Sequence, residues 1–225
     1  MQPLKTKAII LRRTNFGEAD RILQIITPTQ GKLGVIAKGV RREKSKLASS
    51  VELFSESEIV VAKGKSELGT LTSGRLVTFY AHIMSDYDRL QFAYEVLKKI
   101  NQVAEHVSEA GLYDTTRAVL AALDDQEIDI RITKIWFYLQ IAEILGRGLN
   151  LSRDDRNQAL AADALYRFDI AEMSFHKEAR GRFGSEHLKL LKLLKVKSPE
   201  VVARISGIET YLDDCLSLAH AVGGE

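Results

Sequence analysis

The chain has 225 residues and a mass of 25.2 kDa, with 45% hydrophobic and 28% charged residues. That is enough apolar content to fill a core and argues against disorder. Lys and Arg number 32 against 30 Asp and Glu, a net +2, so no whole-chain field selects a partner. The longest apolar stretch, 136–145, is broken by Gln140 and Glu143 and falls short of the roughly 20 residues that cross a bilayer. Arg12 and Arg13 stand where a signal peptide needs a small-residue cleavage site. Neither membrane association nor export is expected. Cys215 is the single cysteine, which excludes an internal disulfide or a zinc site of several thiolates and suits a reducing cytoplasm.

Charge divides the chain near residue 80. Residues 1–80 hold 14 Lys and Arg against 7 Asp and Glu, a net +7, whereas the remainder holds 18 against 23, a net −5. In the basic part, apolar residues come in short runs of period two: 7–11, 21–26, 33–37, 58–63 and 68–77. Such runs predict strands. Turn residues separate them at Asn15-Phe16-Gly17, Thr27–Gly31 and Gly64-Lys65-Ser66, with a charged stretch from Lys38 to Lys46. Five short strands suffice for a small barrel of the OB-fold type, and an SH3-like barrel has a similar count.

After Thr78 the period changes to 3.6. Leu90, Ala93, Tyr94, Leu97 and Ile100 fall on one face of an amphipathic helix within 79–107. Further helices are predicted at 113–123, at 128–145, which is apolar nearly all round and therefore central, and at 185–194. Ser198-Pro199-Glu200 is a helix start and opens a last helix running towards Ala221. Ser152-Arg-Asp-Asp155 has a capping-box pattern for a short helix, and 166–170 reads as strand or turn. The fold class is α+β: a barrel domain over 1–80 and a helical domain over 81–225.

The densest chemical feature is the segment from Gly31 to Lys46, which gathers Lys32, Lys38, Arg41, Arg42, Lys44 and Lys46 with only Glu43 opposing them. A strand ending at Ala37 projects these cations as a flexible loop, where they can meet successive phosphates and release counterions. Gly39 lets the main chain bend, and Arg41 and Arg42 can contact phosphate in bidentate fashion. Phe16, Phe54, Phe79 and Tyr80 are the aromatics of this half, and each reads as core before stacking platform.

Catalysis is not expected. The chain has no GxxxxGK[ST], HExxH or GxSxG, and Gly146-Arg-Gly148 lacks the rest of a dinucleotide fingerprint. The paired acids Asp86/Asp88, Asp124/Asp125, Asp154/Asp155 and Asp213/Asp214 read as helix-end or surface groups. His82, His106, His176, His187 and His220 have no metal-ligand spacing. Gly181-Arg-Phe-Gly184 matches a GxxG clamp but reads as a turn. Trp136 reads as a core anchor and Cys215 as an inert buried thiol.

Four blocks carry a resemblance: Lys7-Ala-Ile-Ile-Leu-Arg12, Asn15-Phe-Gly-Glu-Ala-Asp-Arg21, Gly31-Lys-Leu-Gly-Val-Ile-Ala-Lys-Gly-Val-Arg-Arg42 and Leu68-Gly-Thr-Leu-Thr72. In order and spacing the chain resembles the bacterial RecO family of recombination mediators. The resemblance implies an OB-fold followed by an all-helical domain, and binding and annealing of single- and double-stranded DNA. It also implies partnership with RecR and with the C-terminal tail of single-stranded DNA-binding protein in loading RecA, within the nucleoid. The family's DNA contacts map onto Lys38, Arg41 and Arg42. Many members carry a four-cysteine zinc knuckle; here Leu145-Gly146 and Tyr166-Arg-Phe-Asp169 are kept without cysteines between them. No metal or other cofactor is expected, and the knuckle region, 146–184, is then held by packing through Leu160, Leu165, Phe168, Phe175 and Phe183, or left mobile.

The expected function is a non-enzymatic mediator of DNA repair that grips the DNA backbone through the cation cluster. Arg180, Arg182, Lys189, Lys192 and Lys195 are the candidate receptors of the acidic partner tail. The rival readings are an RNA-binding OB module and a metal-dependent nuclease using one of the Asp pairs.

Overall fold

The computed structural model describes residues 2–62, 68–107 and 111–224; Lys63 and the turn expected at Gly64-Lys65-Ser66 lie outside them. The strands are β1 (Leu4–Phe16), β2 (Asp20–Thr27), β3 (Gly31–Ala37), β4 (Ser55–Ala62) and β5 (Gly69–Phe79). They close into a barrel in the order β1-β2-β3-β5-β4, a five-stranded barrel of OB type. Every second residue of each strand points inward, so Ala8, Ile10, Leu23, Ile25, Val35, Ala37, Ile59, Val61 and Leu71 form the barrel core. β1 serves two neighbours, pairing with β4 through Leu4–Ile9 and with β2 through Ile9–Phe16. A register shift between Ile10 and Arg12 accompanies the change of partner, as an extra residue bends a strand.

The first compact unit runs Met1–Asp124, so helices α1 (Tyr87–Val103) and α2 (Gly111–Asp124) pack with the barrel. A 3-10 turn at Ala81–Ser85 precedes α1, and Asp86 then caps the helix by accepting the Arg89 amide at 2.9 Å. This start is later than the 3.6-residue pattern suggests, because Asp86 supplies the acceptor that an exposed first turn needs. α1 buries Phe92, Ala93, Val96, Leu97 and Ile100. Tyr94, grouped with that face by periodicity, is 48% exposed and sets its ring edge-on to Phe54 at 5.0 Å. The buried stripe is centred between Ala93 and Val96, which leaves Tyr94 at its margin. Arg89 donates to the Leu123 carbonyl at 3.0 Å, tying α1 to α2.

The second unit runs Asp125–Glu225 and is built on α3 (Ile130–Ile144), which Asp129 caps through the Arg131 amide at 2.8 Å. Ile135, Phe137, Ile141 and Ala142 are fully buried, and Trp136 is a core residue, as expected of a helix apolar all round. The unit also contains a hairpin of β6 (Tyr166–Asp169) and β7 (Ser174–Lys177), so it is predominantly helical and not all-helical. α4 (Ser185–Val196), α5 (Pro199–Val202) and α6 (Leu212–Gly223) complete it. The single last helix expected from Ser198 is thus two helices. α5 ends at Val202 with Ala203 as its cap, and in the connection to α6 Gly207 takes a φ of +82°, open to glycine at little cost, before a 3-10 turn at Glu209–Tyr211. Where the Ser152 capping box predicted a helix there is none. Asn150 accepts the amides of Ser152 and Arg153, and Asp154 those of Arg156 and Gln158; side chains that bond nearby amides compete with helix formation.

The knuckle region is held by rings. Fully buried Phe175 meets Phe168 at 4.9 Å, Phe183 at 5.8 Å and Tyr166 at 6.3 Å, all edge-to-face. Leu165 is 43% exposed and Leu160 half-buried, so the aromatics and not these leucines supply the centre. Gly181 lies against β6: a Cβ there would stand 2.4 Å from the Tyr166 backbone. The GxxG match is therefore a packed turn.

Candidate nucleic-acid interface

The charged segment after β3 begins with two constraints. Gly39 takes a φ of +62°, which turns the chain out of the strand at no Cβ penalty. Its amide donates to Asp20 Oδ1 at 2.7 Å, and the Arg41 amide donates to the Ala19 carbonyl at 2.9 Å. The anchors are the last residue of the turn joining β1 to β2 and the first residue of β2. Val40, 3% exposed, inserts into the barrel core, and successive turns bond Arg42 to Gly39 and Ser45 to Arg42. The sequence suggested a flexible loop; the segment is instead pinned by one buried apolar side chain and the amides around it.

Lys38, Arg41, Arg42, Lys44 and Lys46 are exposed. Among the described residues none of them forms a salt bridge, while Arg41 Nη1 reaches the Gly17 carbonyl at 3.3 Å. The Arg42 side chain lies beside Gly39, where an added Cβ would meet its Cδ at 3.6 Å. Lys32 differs: its Nζ contacts Glu105 Oε1 at 2.8 Å and donates to the Asn101 carbonyl at 2.9 Å. The structure therefore brings five of the six candidate cations together and turns the sixth towards α1.

Of the four aromatics in the first 80 residues, Phe54 and Tyr80 are buried at 3% and 5%, as the sequence suggested, but Phe16 and Phe79 are 52% and 40% exposed. Phe16 is the last residue of β1, followed by Gly17 at a φ of +56°. A signal for it was present, because a residue inside the Asn15-Phe16-Gly17 turn has no core within reach. A second basic feature also escaped sequence reasoning. Arg12 and Lys98, both exposed, line a cleft of about 640 Å³ between β1 and α1 together with Tyr94.

The candidate tail receptors are less available. Arg182 pairs with Asp214 at 2.9 Å, Lys189 with Glu186 at 2.7 Å and Lys195 with Glu143 at 2.7 Å. Arg180 and Lys192 are exposed, with no salt bridge among the described residues.

The acid pairs serve structure. Asp86 caps α1, Asp124 accepts the His82 amide at 2.8 Å, Asp154 holds a turn, Asp155 faces His176 at 3.2 Å, and Asp213 and Asp214 pair with Arg131 and Arg182. Among the described residues no group of three or more His, Cys, Asp or Glu is placed to hold a metal ion. Cys215 is fully buried, and burial with the adjacent Asp214 pushes its thiol up to about 12, away from nucleophilic use.

Residues 1–80 match the family model described as Recombination protein O N terminal. The barrel is similar to a RecO N-terminal domain. The resemblance seen in the sequence blocks is borne out by relatives named DNA repair protein RecO. The one from Acetivibrio thermocellus is 38% identical over 103 residues, 46% of this chain and 41% of the relative. The one from Dehalococcoides mccartyi is 34% identical over 143 residues, 63% of this chain and 56% of the relative. The one from Alkaliphilus metalliredigens is 32% identical over 144 residues, 64% and 58% respectively. The matches thus span about half the length of these RecO relatives, and the family model covers the barrel that bears the cation cluster. Among the described residues no helix is long and apolar enough to cross a membrane.

Proposed function

We propose that this chain is a recombination mediator in DNA repair, which binds single- and double-stranded DNA by its backbone and anneals complementary strands. The observation that carries this reading is the set of exposed cations Lys38, Arg41, Arg42, Lys44 and Lys46 on a pinned segment of the RecO barrel, with no carboxylate partner among the described residues. Two strands repel through their phosphates, and cations brought to both lower that barrier so that pairing can nucleate. Contacts to the backbone position the strand without reading its sequence. Base pairing then supplies the selectivity.

In this reading the protein works with RecR to load RecA onto DNA coated by single-stranded DNA-binding protein. Arg180 and Lys192, exposed in the second unit, are the remaining cations of the tail-receptor set that are open to an acidic tail. The chain is a mediator and not a nuclease, in keeping with the structural roles of its acid pairs.

The test is annealing of complementary oligonucleotides, bare and coated with single-stranded DNA-binding protein, by wild type and by Lys38→Glu/Arg41→Glu/Arg42→Glu. The folded triple variant is expected to lose most of the annealing rate. Unchanged annealing would remove the cation segment from the mechanism, and cleavage of labelled DNA on adding Mg²⁺ or Mn²⁺ would replace the mediator with a nuclease.

A further inference from the structure

Phe16 is an exposed ring with a defined position. In the β1–β2 pairing its cross-strand partner is Asp20, and directly opposed residues leave an antiparallel ribbon on the same face. Asp20 is also the residue whose carboxylate holds the Gly39 amide at the root of the cation segment. The tip closing this ribbon offers the Gly17 carbonyl to the Arg41 guanidinium at 3.3 Å and the Ala19 carbonyl to the Arg41 amide at 2.9 Å. The connection that follows the ring is therefore fastened at three points to the segment that carries the guanidinium. A phenyl ring half in water gives up the burial that normally rewards it, and no other described side chain makes a ring contact with it.

We propose that Phe16 is a stacking platform for an unpaired nucleobase of the strand whose phosphates are held by Lys38, Arg41 and Arg42. This deepens the backbone-binding reading and rests on it. Cations alone grip single and double strands by the same mechanism, whereas an aromatic face adds affinity only where a base face is open, and it does so with little sequence preference. In a duplex each base is covered by its neighbours. The platform therefore favours the unpaired strand and loses its hold as pairing proceeds, which gives annealing a direction and frees the segment from its product.

The test uses the full chain and two fluorescently labelled probes of equal length, oligo-dT and a strand of abasic sites with the same phosphates. Binding is measured by anisotropy over a range of salt for wild type, Phe16→Ala, Phe16→Trp and the Lys38/Arg41/Arg42 charge-reversal variant. Wild type should prefer oligo-dT about 5- to 150-fold, the range that one stacked base confers. Phe16→Ala should lose that preference by weakening oligo-dT alone, with an unchanged salt slope, and Phe16→Trp should retain or exceed it. Equal wild-type affinity for the two probes, or equal weakening of both by Phe16→Ala, would overturn the platform. Normal oligo-dT binding by Phe16→Ala with loss of annealing only on coated DNA would also overturn it, reassigning the ring to a protein contact. If the charge-reversal variant binds both probes as wild type does, the backbone reading falls instead, so the two failures are distinct.

Discussion

Lys32 is held by Glu105. Their salt bridge at 2.8 Å, with a second bond from Lys32 to the Asn101 carbonyl at 2.9 Å, joins β3 to the C-terminal end of α1 and the residue Glu105 just beyond it. The Lys32 side chain is only 14% exposed, although it stands six positions before the freely exposed Lys38. The same pairing holds the Glu105 carboxyl below its usual range, through the hydrogen bond and charge of Lys32. Lys32 is thus a structural cation beside the proposed binding segment.

Lys32→Ala should accordingly leave DNA affinity within about two-fold of wild type with the same dependence on salt, and should lower the melting temperature. Lys38→Ala should do the reverse, reducing the slope of log K against log salt by about 0.7 on single strands while the melting temperature holds. Thermal unfolding and salt titrations of the two variants separate the roles; a salt slope changed by Lys32→Ala would return that residue to the interface.

The bond from Gly39 to Asp20 Oδ1, 2.7 Å long, places an acid beside the cation cluster proposed to bind DNA. Asp20→Ala removes the acceptor and should cost about 1.5–3 kcal/mol, the scale of a hydrogen bond to a charged group. Hydrogen exchange at the Gly39 and Arg41 amides should quicken, and DNA binding should weaken as the segment loosens. Asp20→Asn keeps an acceptor and removes a negative charge, so it should bind DNA as well as wild type or better. Unaltered exchange in Asp20→Ala would show that Val40 alone fastens the segment.

Glu56 predicts how the first unit responds to pH. Its carboxylate is buried, accepts the Tyr113 hydroxyl at 2.5 Å and faces Lys7 Nζ at 3.0 Å. Burial raises its pKa, but the Tyr113 hydroxyl and the Lys7 ammonium together outweigh it and bring the group below its ordinary 4.5. A carboxyl lowered in the folded state contributes stability above its ordinary value and loses it as pH falls through the folded one. The phenols move the other way: burial and the nearby Glu56 charge raise Tyr80 to about 12, and burial with the Glu56 bond raises Tyr113. Their contribution is complete below about 10 and is lost as pH rises towards the folded values. Melting temperature followed from about pH 2 to 11 should therefore fall at both ends. In Tyr113→Phe both the acid fall and the alkaline fall should be smaller, since Glu56 loses a bond that lowers it and one raised phenol is gone; identical profiles would show that the pair does not govern the pH response.

Much of the barrel was legible because its signals are local. Alternation at 21–26 and 33–37 and the turn residues between the runs mark strand and connection without reference to the rest of the chain, and those strands were found at Asp20–Thr27 and Gly31–Ala37. The apolar run from Ile130 could only be a central helix. The break between α5 and α6 was not legible, because helical periodicity resumes after Gly207, and neither was the Asn150–Gln158 segment, whose Asn and Asp side chains bond amides that a helix would need.

Residue types along the line of the chain were sufficient for the basic block, the barrel class and the family resemblance, since charge density, period-two spacing and motif order are properties of neighbours. Which cations remain free was settled in three dimensions. Lys32 and Lys38 have the same chemistry and nearly the same address, yet one meets a carboxylate 73 residues away and the other meets none among the described residues. The exposure of Phe16 and the Asp20 anchor likewise follow from strand register and from a left-handed glycine. Contacts between distant residues exist only after the barrel has closed, and these contacts separate a paired cation from an exposed one.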